Sequence, residues 1–133
     1  MKMKYYLIGL LMVSAIFFSF TYDQEKPWEV PEKYEKMANP VKSDAESIKI
    51  GKGLWTKHCA SCHGKTGAGD GTKAAQLETP MEDISTSAVQ EQSDGALYYK
   101  ISEGRDEMPS FKKKIPEAED LWAVVNYMRS LKK

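Results

Sequence analysis

The sequence predicts an all-α fold of three main helices joined by long loops. Apolar residues recur at helical spacing in three segments, and each segment is bounded by capping residues. No run alternates apolar and polar residues as a half-buried strand would. Between the first two helices, residues 64–92 form a segment opening with four glycines in eight positions, Gly64, Gly67, Gly69 and Gly71. Loops of such length are uncommon in a compact domain unless they wrap something.

The N-terminus stands apart from this domain. Lys2 and Lys4 precede the apolar run YYLIGLLMVSAIFFSF, and no further charge occurs before Asp23. This is the pattern of an export signal, with Ser19 and Thr21 only loosely resembling a cleavage site. Residues 5–22 number 18, close to the minimum for a bilayer span. Residues 1–21 are therefore expected to be a signal peptide or an N-terminal membrane anchor, with possible membrane anchoring through residues 5–22. Either places the folded part outside the cytoplasm. Residues 22–42 carry three prolines and many charges without a sustained apolar period, and read as an extended linker or surface wrap. Trp28 and Val30 are its candidates for packing on the domain. Residues 43–133 form the domain itself.

The first helix is expected to start at Ser43-Asp44-Ala45-Glu46, a capping-box pattern, and to end near His58. Ile48, Gly51, Leu54 and Trp55 lie on one stripe. Gly51 and Gly53 each cost about 1 kcal/mol relative to alanine inside a helix, so at least one should allow a close approach. The second helix lies in SDGALYYKISEG, with Ser93 as N-cap, Gly104 after its end, and Leu97 and Ile101 facing inward. In the third, Pro116 suits the first turn, and Glu117, Glu119 and Asp120 complement the positive helix start. Leu121, Val124, Val125, Met128 and Leu131 form its buried stripe.

Charge excludes one broad class of function. The chain has 19 basic and 19 acidic residues, so nothing marks a nucleic-acid partner. Without residues 1–21 it has 17 basic and 19 acidic groups.

Both cysteines and both histidines fall within His58-Cys59-Ala60-Ser61-Cys62-His63. A disulfide between Cys59 and Cys62 would close so small a loop that it would stabilise the fold little. A thioredoxin-like site needs a preceding strand, and a structural zinc site needs a second ligand pair; neither is evident. Cys-x-x-Cys-His is instead the attachment pattern of a c-type haem. Two sulfurs three residues apart can form thioethers to the two porphyrin vinyl groups, and the next imidazole can ligate the iron. Cys59 and Cys62 are thus the candidate covalent haem residues and His63 the candidate axial ligand. His58 reads as a surface or helix-packing residue.

For the second axial position the candidates are Met81, Met108 and Met128. Met128 lies on the third helix's buried stripe, and Met81 follows His63 by only 18 residues. Met108, after a helix stop and before Pro109, is the expected ligand.

These segments resemble the class I, single-haem c-type cytochromes of bacteria. GKGLWTKHCASCH resembles that family's first helix and haem motif, GRDEMPSF its methionine loop, and DLWAVVNYMRSL its last helix. CHGKTGAGDG resembles a bacterial branch with a glycine-rich loop after the motif. The likeness covers about two-thirds of the chain and implies a cytochrome c fold around one covalently bound haem c. It places Gly51 against the third helix near Tyr127, with Trp55 and Trp122 at the same crossing. A proline that often follows the glycine-rich loop is replaced here, since Thr72 follows Gly71, and the carbonyl accepting the His63 N–H is left open. The implied function is single-electron transfer by a carrier rather than an enzyme, in a periplasm, between membrane respiratory complexes and a terminal oxidase or reductase. A relay subunit of a larger redox complex, and a haem enzyme or sensor with a labile sixth ligand, are the alternatives. Lys112, Lys113 and Lys114 could steer an acidic redox partner or form a solvated loop. The acidic stretch 22–36 could bind a basic partner or keep the chain soluble.

Overall fold

The computed structural model describes residues 26–133, so the expected signal or anchor at 1–21 lies outside the described residues. Within them are six α-helices, a 3-10 turn at Ala74–Gln76 and no strand. The helices are α1 (Glu32–Glu35), α2 (Ala45–His58), α3 (Ala60–His63), α4 (Ser87–Gln90), α5 (Asp94–Glu103) and α6 (Ala118–Ser130). The three main helices expected from the sequence are α2, α5 and α6. The short α1, α3 and α4 are additions within segments read as wrap, motif and loop.

α2 begins one residue later than expected. Its N-cap is Asp44, whose carboxylate accepts the Ser47 N–H at 3.0 Å, while the Asp44 N–H donates to Ser47 Oγ at 3.2 Å. The competing Ser43/Glu46 box loses because Ser47 has partners that Glu46 lacks. Ser47 is buried, and its Oγ also donates to the Lys42 carbonyl and accepts from Asn126 Nδ2 on α6. α5 follows expectation, with Ser93 Oγ accepting the Ala96 N–H at 3.0 Å and Gly104 closing the helix at φ 69°.

α6 starts later than expected. Pro116 stands outside it, Glu117 is an extended N-cap and Ala118 is the first helical residue. Ile115, 1% exposed, anchors the chain just before the helix, and Pro116 and Glu117 carry it from that anchor to the first turn. Leu121, Val124, Val125 and Met128 are buried as expected, whereas Leu131 caps the end and is only partly buried. Trp122, Ala123, Asn126 and Tyr127 are also buried, so α6 is covered nearly all round. Burying each of its valines stabilises the fold by about 1.5–3 kcal/mol.

The principal packing is α2 against α6. A Cβ at Gly51 would overlap the Ala123 carbonyl oxygen and lie 2.9 Å from Tyr127 Cβ, so this crossing needs glycine. Trp55 joins it, with its ring centroid 5.7 Å from Tyr127. Trp122 stacks on Tyr98 of α5 at 4.2 Å and 20°, which fixes α5 to α6.

The described part of 22–42 lies along this core. Tyr34 meets Tyr99 of α5 with centroids 4.7 Å apart. Asn39 Nδ2 donates to Asn126 Oδ1 at 2.8 Å, and Asn126 Nδ2 donates to the Val41 and Lys42 carbonyls. The buried Asn126 therefore holds the arm by its own backbone groups, which would otherwise be lost to water.

Candidate cofactor site

α2 runs directly into the motif. Cys59 ends α2 and precedes α3, which carries Ala60, Ser61, Cys62 and His63. A helix end leaves carbonyls without intrahelical donors. The glycine-rich loop supplies them: Lys73 N donates to Ser61 O at 2.8 Å, Gly71 N to Cys62 O at 3.2 Å and Gly69 N to His63 O at 2.9 Å. This is what the loop wraps. A Cβ at Gly71 would overlap the Ser61 and Cys62 carbonyl oxygens, so the loop lies this close only without a side chain there. Trp55 Nε1 donates to Gly64 O at 2.9 Å and the Tyr127 hydroxyl to Lys65 O at 3.0 Å, pinning the loop to both crossing helices.

A cavity of about 510 Å³ opens beside this turn, within the usual range of ligand sites. Cys59, Cys62, His63 and Met108 all line it. Ile84, Val89, Leu97, Ile101, Phe111 and Val124 give it apolar walls. Met81 and Met128 reach it as well. The Met81 backbone packs on Gly69, whose N–H bonds the His63 carbonyl. Met128 is a buried core residue of α6.

Met108 is held by its own loop. Arg105 and Met108 exchange both backbone hydrogen bonds at 2.8 Å, with Asp106 at φ 50° in the tip between them. Phe111 N donates to Ile101 O and Ser110 Oγ to Ser102 O, tying the following residues to the end of α5. The Glu107 carboxylate accepts the Glu78 and Thr79 N–H groups, at 3.2 and 2.8 Å, and clasps this loop to the opposite rim. Those bonds hold the Glu107 carboxyl below its ordinary range. Glu107 was not read from the sequence, since its partners lie 28 and 29 residues away.

Cys59 and Cys62 form no disulfide. Burial, aided by the neighbouring Cys62, pushes the Cys59 thiol up to about 12, so it stays protonated. Burial lowers the His63 pKa against the opposing effect of Glu82, favouring the neutral imidazole that a metal requires. His63 Nδ1 is buried without a hydrogen-bond partner among the described residues, so no carbonyl there orients the ring. Trp55 lies against it instead, with centroids 5.6 Å apart. No three His, Cys, Asp or Glu side chains among the described residues form a metal-binding group, which leaves the zinc reading without support. Two thiols, a neutral imidazole and a thioether around an apolar chamber are the donor set of a c-type haem, and the residues fit that group.

His58 also borders the cavity, with its ring edge-on to Phe111 at 6.2 Å. The three lysines after the methionine loop diverge: Lys112 pairs with Glu103, while Lys114 borders the cavity over the Phe111 ring.

Residues 46–128 match the family model described as cytochrome c oxidase, cbb3-type, subunit III. One similar solved structure is a chain of the Kuenenia stuttgartiensis reducing HAO-like protein complex, at a TM-score of 0.64 and 24% identity. The match covers 86% of this chain and 54% of that one, so this chain spans about half of that neighbour's length. The likeness is one of fold. No curated protein matches the chain.

Proposed function

Since the chain belongs to the cytochrome c oxidase, cbb3-type, subunit III family, and so carries a single-haem c-type cytochrome domain, we propose that it passes single electrons through one covalently held haem c. The carrying observation is the convergence of Cys59, Cys62, His63 and Met108 on one largely apolar chamber. In this reading Cys59 and Cys62 would hold the haem as thioethers, and His63 and Met108 would supply its iron ligands.

The haem supplies a one-electron iron couple, and the chain sets the conditions under which that couple works. Cys59 and Cys62 keep the ring in place. Met108, on a loop fastened by Glu107 and the Arg105 backbone, would supply the second iron ligand and so deny that position to small molecules. That assignment makes the protein a carrier or relay rather than an enzyme. Thioether ligation also raises the potential relative to a second imidazole. Ile84, Leu97, Ile101 and Phe111 give the chamber apolar walls, and an apolar setting favours the less charged, reduced state.

The proposed setting is outside the cytoplasm, in a periplasm, with electrons received from a membrane donor and passed to an oxidase or reductase. A second reading, a resident relay subunit of a larger complex, is favoured by the family's description as an oxidase subunit. A redox titration of the purified full chain tests the electron-transfer reading. A single reversible one-electron wave, unaltered by carbon monoxide, is expected. Carbon monoxide binding to the reduced protein would contradict the filled sixth position and favour a sensor or enzyme.

A further inference from the structure

The family match begins at residue 46, yet Lys26, Pro27 and Trp28 of the N-terminal arm line the same chamber as Met108. Trp28 is half-buried. Lys100 Nζ lies 5.3 Å from the centroid of its ring and Arg105 Cζ 4.7 Å. The Lys26 carbonyl accepts from Arg105 Nη1 at 3.1 Å. The arm thus grips two cations that belong to the end of α5 and the start of the methionine loop.

Both cations are left with capacity to spare. Lys100 Nζ donates to Gln92 Oε1 at 2.7 Å and has no ion pair among the described residues. It is half-buried, and burial lowers its pKa more than Glu82 raises it. Arg105 pairs through Nε with the exposed Asp106 at 3.2 Å, leaving Nη2 without a partner among the described residues. The other cavity lysines, Lys26, Lys73 and Lys114, are exposed and solvated. A partly buried cation is costly to desolvate, and an arriving anion offsets that cost.

Haem is apolar except for its iron and two carboxylates, and the latter need a polar, cationic end of the chamber. We propose that the N-terminal arm is a working wall of the cofactor chamber, in which Trp28 positions Lys100 and Arg105 as the cations that receive the haem carboxylates. This inference rests on the haem reading above. The indole face holds both cationic heads by cation–π attraction and keeps water from them, which strengthens any pair they make with a carboxylate. Trp28 acts through its two neighbours and is a positioning residue. Removing either cation leaves carboxylate charge uncompensated near the iron, which stabilises the oxidised state.

The test uses the haem-bearing full chain, with the haem labelled by carbon-13 at its carboxyl carbons. Reduction potential and redox-difference infrared spectra are compared for Lys100→Gln, Arg105→Gln, Trp28→Ala and Trp28→Phe. Lys112→Gln serves as a control, since Lys112 pairs with Glu103 and does not line the cavity. The first three variants are expected to lower the potential and shift the labelled carboxylate bands. Trp28→Phe should restore parent values, and the control should match the parent. Parent-like potentials and carboxylate bands in haem-bearing Lys100→Gln and Arg105→Gln would overturn the inference while leaving the haem reading intact. A parent protein without covalent haem would instead overturn the reading beneath it.

Discussion

His63 Nδ1 is the single buried side-chain nitrogen or oxygen atom without a hydrogen-bond partner among the described residues. Such an orphan costs about 1–3 kcal/mol, and in native proteins it commonly marks a functional group. Met108, in contrast, is secured by backbone bonds on either side of a strained tip. Met108→Ala should therefore leave the haem covalently attached and the protein coloured. Its potential should fall by roughly 0.1–0.3 V, a part of the ~0.8 V that axial ligation spans. Its weak far-red oxidised-state band should vanish. An unchanged spectrum and potential would remove Met108 from the iron. The motif was legible because three of its five positions are rare residue types at a spacing set by porphyrin chemistry. Lys100 and Glu107 were not, because their significance comes from Trp28 and from residues 78–79, which only the folded chain brings near.

At the scale of elements, the α2–α6 crossing is the structural axis, and its two helix glycines have opposite roles. Gly51→Ala would drive a methyl group into the Ala123 carbonyl and Tyr127. It should destabilise the haem-bearing protein by about 3 kcal/mol, because packed helices must part to admit it. Gly53 has open space around the same position. Gly53→Ala should stabilise by about 1 kcal/mol through helix propensity alone. Denaturant midpoints of the two variants decide it, and equal effects would refute the crossing. Helix existence was readable from periodicity and caps, while the exact starts were not. At α2 the Asp44/Ser47 box prevailed through Ser47's bonds to Lys42 and Asn126. At the α5–α6 contact, Trp122 stacks on Tyr98, a pairing that stripe-counting along one helix does not reveal.

Over the whole molecule, the helices make a frame, and helices and loops together line the chamber. The 64–92 loop closes the C-terminal end of the motif helix, the methionine loop borders the same cavity, and the arm contributes a further wall. The sequence indicated that the long loop wraps something, but its target, the carbonyls of Ser61, Cys62 and His63, required coordinates. No helix among the described residues is long and apolar enough to cross a membrane, and the run at 5–22 lies outside them. The cavity, its two cysteines, His63 and Met108 have one common purpose only if a haem is bonded to Cys59 and Cys62. The most direct measurement is the mass of the full chain, matured in cells with haem-attachment machinery and taken after washing in acidic organic solvent. The mass of the polypeptide plus one haem is expected. A mass equal to the bare polypeptide would contradict the covalent haem, and with it the electron-transfer function.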